Sequence, residues 1–204
     1  MKTKHEIYYD IEKTKPVTDY KVDGDGYAIL NTGTFYIFGE TKVDTYKKTI
    51  VFAYDDSKVF ANHDSQVVAN HDSQVRAYDN SKVRAYDDSK VFAYGNLEVD
   101  AYGYSTVKAY DNSKVWAYES SKVFANGNSQ VQANNHSEVD AHQNSKVYAF
   151  HNSTVKAYDN SKVWAYGNST VWTYGNLSLH TFGNTMLMDP SKAPIIHRRI
   201  RNEN

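Results

Sequence analysis

The chain has 204 residues, no cysteine and a formal net charge of −1, with a mean hydropathy of −0.70. Without cysteine it has no disulfide, no thiolate metal ligand and no cysteine nucleophile. Its balanced charge gives no general attraction to nucleic acid or to an anionic membrane. The apolar residues are mainly Val and Ala, alongside 18 Tyr, which predicts a thin core of small side chains.

Residues 1–26 precede a long series of repeats. The opening sequence MKTKHEIYYDIEKTK lacks the apolar segment of a secretory signal. No part of the chain approaches the roughly 18 apolar residues that cross a bilayer. We therefore expect a cytoplasmic location and no membrane contact. The turn-rich residues 22–26 lead into the repeats, so we assign 1–26 as an N-terminal cap.

Residues 27–188 follow an eight-residue unit best written V-x-A-Y-D-N-S-K. Val recurs every eighth residue from Val43 to Val171, and Ala recurs at the same interval from Ala53 to Ala165. This period does not keep one face of an α-helix, whereas K-V-x-A-Y alternates like a short strand and D-N is typical of a turn. The alternation places Val and Ala inside, with Lys, Tyr and the variable second residue outside.

Two octads per coil would form an all-β, flattened parallel β-solenoid of about ten sixteen-residue coils. Such a coil stacks Arg84 on Asp100 and Asp140 on Lys156, and both pairs are favourable. The same coil also aligns like charges at the turns, namely Asp56, Asp72 and Asp88. A three-sided coil of twenty-four residues is therefore kept as the alternative.

Residues 189–204 are predicted to form a C-terminal cap or tail. Pro190 and Pro194 end the repeat pattern. Ile195, Ile196 and Ile200 are expected to cover the last coil while the arginines nearby face water. Docking of this short basic segment on an acidic partner is the alternative, and it would be weak and sensitive to salt.

The repeat V-x-A-Y-(D/G)-(N/S)-S-(K/T) resembles the octapeptide-repeat proteins encoded by bacteria and their phages. The resemblance covers about 160 residues and is specific for the fold. It implies no particular activity, since no catalytic or binding motif defines that group. It adds a phage-associated location to the cytoplasmic one.

Outward aromatic residues are the candidate binding elements. Tyrosines at the fourth octad position are expected to form ladders, and Trp or Phe often occupies the second position. An aromatic wall of this kind suits a sugar or a protein partner, although ring ladders also stabilise a sheet without binding anything. The candidates are Trp116, Tyr118, Tyr148, Trp164, Tyr166, Trp172, Tyr174 and His180.

Other chemistries are weakly supported by the pattern. Histidine and aspartate occur together at 63–64 and 71–72, but a two-sheet coil places these pairs on opposite edges, so we expect no metal and no cofactor. Ser recurs as an inward turn residue without a loop that could form a cleft, which argues against an enzyme. Ice binding needs regular ranks of outward Thr, and here Thr is sporadic, at Thr106, Thr154 and Thr170.

The sequence therefore predicts a non-enzymatic β-solenoid that presents aromatic faces to a protein partner or a carbohydrate. No specific nucleic-acid partner is expected. A structural rod or virion-associated component is the alternative function, with self-association through the flat faces or the ends of the solenoid.

Overall fold

The structure is a computed structural model that describes residues 5–175 and 177–190, together with the backbone of residues 195 and 196. The chain forms a parallel β-solenoid of about ten coils. Each coil contributes one short strand to each of two flat sheets, because every strand of the repeat pairs in parallel with the strand two places along the chain. The strand of most octads is K-V-x-A, so Tyr lies just beyond its end.

The two sheets are named after a tryptophan on the outer side of each. The Trp172 face contains β5 (Lys58–Ala61), β7 (Gln74–Ala77), β9 (Lys90–Ala93), β11 (Thr106–Ala109), β13 (Lys122–Ala125), β15 (Glu138–Ala141), β17 (Thr154–Tyr158), β19 (Thr170–Tyr174) and β21 (Met186–Met188). The Trp164 face contains β6 (Gln66–Ala69), β8 (Lys82–Ala85), β10 (Glu98–Ala101), β12 (Lys114–Ala117), β14 (Gln130–Ala133), β16 (Lys146–Ala149), β18 (Lys162–Tyr166) and β20 (Ser178–Phe182).

The first coils use longer strands that serve both sheets. The chain begins with β1 (Glu6–Tyr8), β2 (Lys21–Val22), β3 (Ala28–Phe38) and β4 (Lys42–Ala53). Strand β4 pairs with β5 through its first part and with β6 through its second. Strands β1 and β2 both run antiparallel to β3, and Ile7 and Val17 add to the buried core at this end.

The pairing register confirms the sixteen-residue coil and rules out the twenty-four-residue alternative. Val99 pairs with Val115 and Ala101 with Ala117, each sixteen residues apart. The predicted charge pairs also form: Arg84 Nε lies 3.7 Å from Asp100, and Lys156 Nζ lies 4.0 Å from Asp140. The predicted acid ladder at the turns lies exposed, where water and salt screen the repulsion.

The core consists of the Val and Ala columns, whose members between Val43 and Val171 are at most 2% exposed. Position seven of the octad is buried from Thr49 to Ser169, and it is Ser at every corner in that range except those of Thr49 and Leu97. Ser81 Oγ donates to the Tyr78 carbonyl at 2.7 Å. The hydroxyl of Ser129 has no partner in the described residues, and ten other core serines share this state.

Each turn holds its first central residue at positive φ, as in Asp79 at 59° and His63 at 55°. Asp, Asn and Gly tolerate this conformation best. The acidic or amide side chain of this residue reaches back one coil and accepts a hydrogen bond from the backbone N–H of its counterpart. Such reach-back bonds join Asp55 to Gly39, Asp79 to His63, Asp87 to His71, Asp111 to Gly95, Glu119 to Gly103, Gln143 to Gly127, and Asp159 to Gln143.

At the C-terminal end, β22 (Ile195–Ile196) pairs antiparallel with β21. The remaining predictions for the tail, including Pro194, Ile200 and the basic residues, lie outside the described residues. Within the part of the chain that is described, no helix is long and apolar enough to cross a membrane.

Candidate functional site

The predicted aromatic candidates are divided between the two faces. Trp172 and Tyr174 project from β19 on one sheet. The others belong to the opposite sheet, because octads alternate between faces and these residues are an even number of octads apart. The Trp164 face therefore gathers Trp116, Tyr118, Tyr148, Trp164, Tyr166 and His180.

Near the C-terminal end of the Trp164 face, the rings form two adjacent columns. Tyr148 stacks on Trp164 at a centroid distance of 4.9 Å, and Trp164 stacks on His180 at 5.6 Å. Phe150, Tyr166 and Phe182 form the second column, with spacings of 4.9 and 4.7 Å. Successive rings are within 13° of parallel. Their faces are therefore turned toward each other, and rings inside a column present mainly their edges to a ligand.

The expected tyrosine ladders are also formed. On the Trp172 face the centroids of Tyr78, Tyr94 and Tyr110 follow at 5.3 and 4.9 Å, and Tyr174 stacks on Tyr158 at 4.7 Å. These rings occupy the corners, where they are half-buried. Their mutual packing stabilises the sheet, so a ladder by itself does not mark a site.

Trp116 differs from these residues because its neighbours in its own column are not aromatic. It pairs in register with Asp100 on one side and Gln132 on the other. A depression of about 180 Å³ lies on the Asp100 side, and one of about 140 Å³ lies between Trp116, Gln132 and Tyr148. Partial burial raises the pKa of Asp100, while Arg84 opposes that shift.

Gln132 belongs to a strand whose outward residues are all carboxamides. Gln130, Gln132 and Asn134 cross the face side by side on and just after β14. The strands on either side carry the triplets Lys114-Trp116-Tyr118 and Lys146-Tyr148-Phe150. Within the described chain, the side chains of Gln130 and Gln132 make no hydrogen bond, so their amides are free to meet a ligand.

The same area carries positive charge that no ion pair neutralises. Lys146 and Lys162 are neighbours in register, and neither forms an ion pair with any described residue. Lys114 forms none either, although it lies in register with Glu98 and adds to the effect of Lys82 in lowering the pKa of that carboxyl. From Lys114 to Phe182, no outward residue of the described Trp164 face is acidic. In the N-terminal half of this face, by contrast, Lys82 pairs with Glu98 at 2.9 Å, and that contact lowers the pKa of Glu98.

Acidic side chains are instead concentrated at the turns. The edge that leads from the Trp164 face to the Trp172 face carries Glu40, Asp55, Asp56, Asp72, Asp87, Asp88 and Glu119. The opposite edge carries an asparagine column, in which Asn112 donates to Asn96 at 3.2 Å. The predicted His-Asp turn pairs do lie on different edges, where His63 contacts Asp79 at 3.5 Å and His71 contacts Asp55 at 3.9 Å. Among the described residues, no three His, Asp or Glu side chains converge as metal ligands.

The fold defines this chain as a parallel β-solenoid protein. In comparisons with known proteins, it matches no family model, no curated protein and no solved structure. The predicted candidates did not include the polar residues around Trp116, namely Lys114, Gln130, Gln132, Asn134 and Lys146. Aligning the octads in pairs, sixteen residues apart, would have revealed them, because that alignment puts three carboxamides between two aromatic triplets.

Proposed function

We propose that this protein is a non-enzymatic binding protein whose Trp164 face, from Lys114 to Phe182, engages a carbohydrate or a protein partner. The observation that carries the proposal is the composition of that face. Over five successive strands it combines aromatic side chains, free lysines and carboxamides with no acidic residue. Aromatic residues with adjacent polar groups are the usual elements of a recognition surface.

The distribution of exposure supports the same face. Tyr148 is 36% exposed and Phe182 is 48% exposed, so large rings stay accessible despite their stacking. Two adjacent lysines without a counterion repel each other, and an acidic ligand would remove that repulsion. The charge on the face is thus complementary to an acidic ligand although the whole chain has a net charge of −1.

The test compares two tryptophans that occupy equivalent octad positions on opposite faces. Purified full-length protein is applied to a glycan array and to an array of acidic peptides, together with Trp164→Ala and the matched control Trp172→Ala. We expect Trp164→Ala to reduce binding by about tenfold or more, and Trp172→Ala to keep it. Equal loss in both variants, or no binding of the parent protein to either array, contradicts the proposal.

A structural rod is the second candidate function. Its supporting observation is that the aromatic rings stacked on both sheets cover one another within the molecule. This mutual covering favours a stabilising role for the rings. Such a rod would associate through its faces or ends and could form part of a virion. Light scattering over a hundredfold concentration range tests this; a monomer throughout contradicts the rod.

A further inference from the structure

We propose that the interruption of the aromatic column at Gln132 is a sugar-binding slot, in which one pyranose ring of an acidic polysaccharide inserts between Trp116 and Tyr148. This inference rests on the proposed binding function of the Trp164 face and specifies its ligand. It follows from the stacking geometry, because a ring face is accessible only where a column is broken.

The slot has the width of one missing ring. Trp116 and Tyr148 are two strands apart, which corresponds to about 9.5 Å along the axis at the usual strand spacing. The far face of Tyr148 is covered by Trp164 at 4.9 Å, so its near face is directed toward Gln132. Trp116 and Tyr148 line the same depression of about 140 Å³. The half-buried side chain of Gln132 lies in this gap, so a ring placed there would displace it and restore the spacing of the column.

The dimensions favour a saturated ring over a flat one. Optimal contacts between carbon atoms are about 3.5–4.0 Å long, so a flat aromatic ring would need an opening of only about 7–8 Å. The ladder rings keep wider separations because each is attached to its own strand. A puckered pyranose is thicker than a flat ring, because its carbon atoms lie alternately above and below the mean plane, so it leaves less of the opening unfilled.

Two interruptions of the aromatic column on the Trp172 face hold a cation where the ring is missing. On the Trp172 face, Arg76 separates Phe60 from Phe92, and its guanidinium lies 5.3 and 5.9 Å from the two ring centroids. Lys108 separates Phe92 from Phe124, and its ammonium lies 5.4 Å from the Phe92 centroid. Arg76 thus covers one face of each neighbour, and Lys108 covers one face of Phe92, by cation–π contact. Gln132 carries no charge and its side chain makes no hydrogen bond with a described residue, so a ligand can displace it more easily than either cation.

The polar surroundings identify the rest of the ligand. Gln130, Gln132 and Asn134 offer both donors and acceptors, which suits sugar hydroxyl groups. Lys114 and Lys146 stand one strand to either side of Gln130, so each is about 5 Å from it along the axis. A carboxylate or sulfate on the inserted sugar would lie between two ammonium groups, on the side of Lys114 that faces away from Glu98.

The test introduces an aromatic ring into the slot by the substitution Gln132→Trp. Gln132→Trp is compared with the parent protein for binding to a galacturonate hexamer by calorimetry, with cellohexaose and oligo(dT) as the other probes. We expect the parent to bind the galacturonate best and Gln132→Trp to lose at least about tenfold in affinity. The matched control, Lys108→Trp, adds a ring at the equivalent interruption of the opposite face and should bind as the parent does.

Circular dichroism and thermal unfolding check that Gln132→Trp folds. If it does not, Trp116→Ala removes one wall of the slot and should cause the same loss. Normal binding by a folded Gln132→Trp overturns the slot. In that case, loss of binding in Trp164→Ala would leave the proposed binding face standing, whereas normal binding in both variants would overturn both proposals. Preference for oligo(dT), or absence of galacturonate binding by the parent, also overturns the assignment to an acidic sugar.

Discussion

Val67 and Val68 are adjacent residues of the same chemistry on opposite sides of one strand. Val67 is 1% exposed in the core, and Val68 lies half-buried on the Trp164 face. Replacing either by Ala removes two methyl groups and the same β-branched preference for a strand. The difference between Val67→Ala and Val68→Ala therefore isolates the energetic consequence of facing inward.

For Val67, withdrawing two methyl groups from the core costs about 1.6 kcal/mol in transfer free energy. Val51 and Val83 flank it in register and cannot collapse into the space, so the cavity raises the total to about 2–3 kcal/mol. The same change at Val68 should cost less than about 1 kcal/mol, because water already reaches part of the side chain.

Urea denaturation followed by circular dichroism measures both costs from the shift of the midpoint and the slope. Amide hydrogen exchange adds a local measurement that stays valid if the coils do not unfold as one unit. A cost for Val68→Ala equal to or above that of Val67→Ala would refute the assignment of inside and outside positions.

The buried serines and the face carboxylates give further tests. Ser129→Ala removes a hydroxyl without a hydrogen-bond partner, so it should leave the free energy of unfolding unchanged or raise it by up to about 1 kcal/mol. Ser81→Ala breaks a hydrogen bond and should lower the free energy of unfolding by about 1 kcal/mol in the same denaturation assay. Similar losses in both variants would contradict this prediction. Partial burial raises the pKa of Asp100 above its usual value of 3.8 and Arg84 lowers it, so Arg84→Gln should raise it further in a carboxyl NMR titration. Because the folded state holds this proton more tightly than the unfolded chain, the contribution of Asp100 to stability should increase as the pH falls from above the raised pKa to below the pKa of the unfolded chain. An unchanged Asp100 pKa in Arg84→Gln would show that Arg84 does not act on this carboxyl.

The fold could be predicted in detail because every octad carries the same pattern of inward, outward and turn residues. The buried face is defined by the Val residues from Val43 to Val171 and by the Ala column two residues further on, and an α-helix could not keep residues with this period on one face. The pair Arg84 and Asp100 favours the sixteen-residue coil. The corner serines were likewise predicted to point inward, and they are buried. What the repeat could not specify is the state of their hydroxyls, which depends on rotamers that sequence does not encode.

The candidate site could be predicted only in part. Aromatic residues such as Trp164 stand out in a sequence, and their stacking follows from the coil length. Gln132 does not stand out, since the role proposed for it comes from the absence of a ring between Trp116 and Tyr148, two coils apart. The net charge of the chain also gave no indication of a cationic face. The lysines on the face and the acids at the turns lie apart in the structure, but their charges cancel in the sum.

The reach-back hydrogen bonds at the turns give the stack a direction. In every pair the later side chain accepts from the earlier backbone, as Asp111 does from Gly95 and Asp159 does from Gln143. At these seven turns the N–H is therefore left to water until the next sixteen residues have folded onto it. As the ribosome delivers the chain from its N-terminus, a side chain made later thus completes a hydrogen bond of the coil made before it at these seven turns.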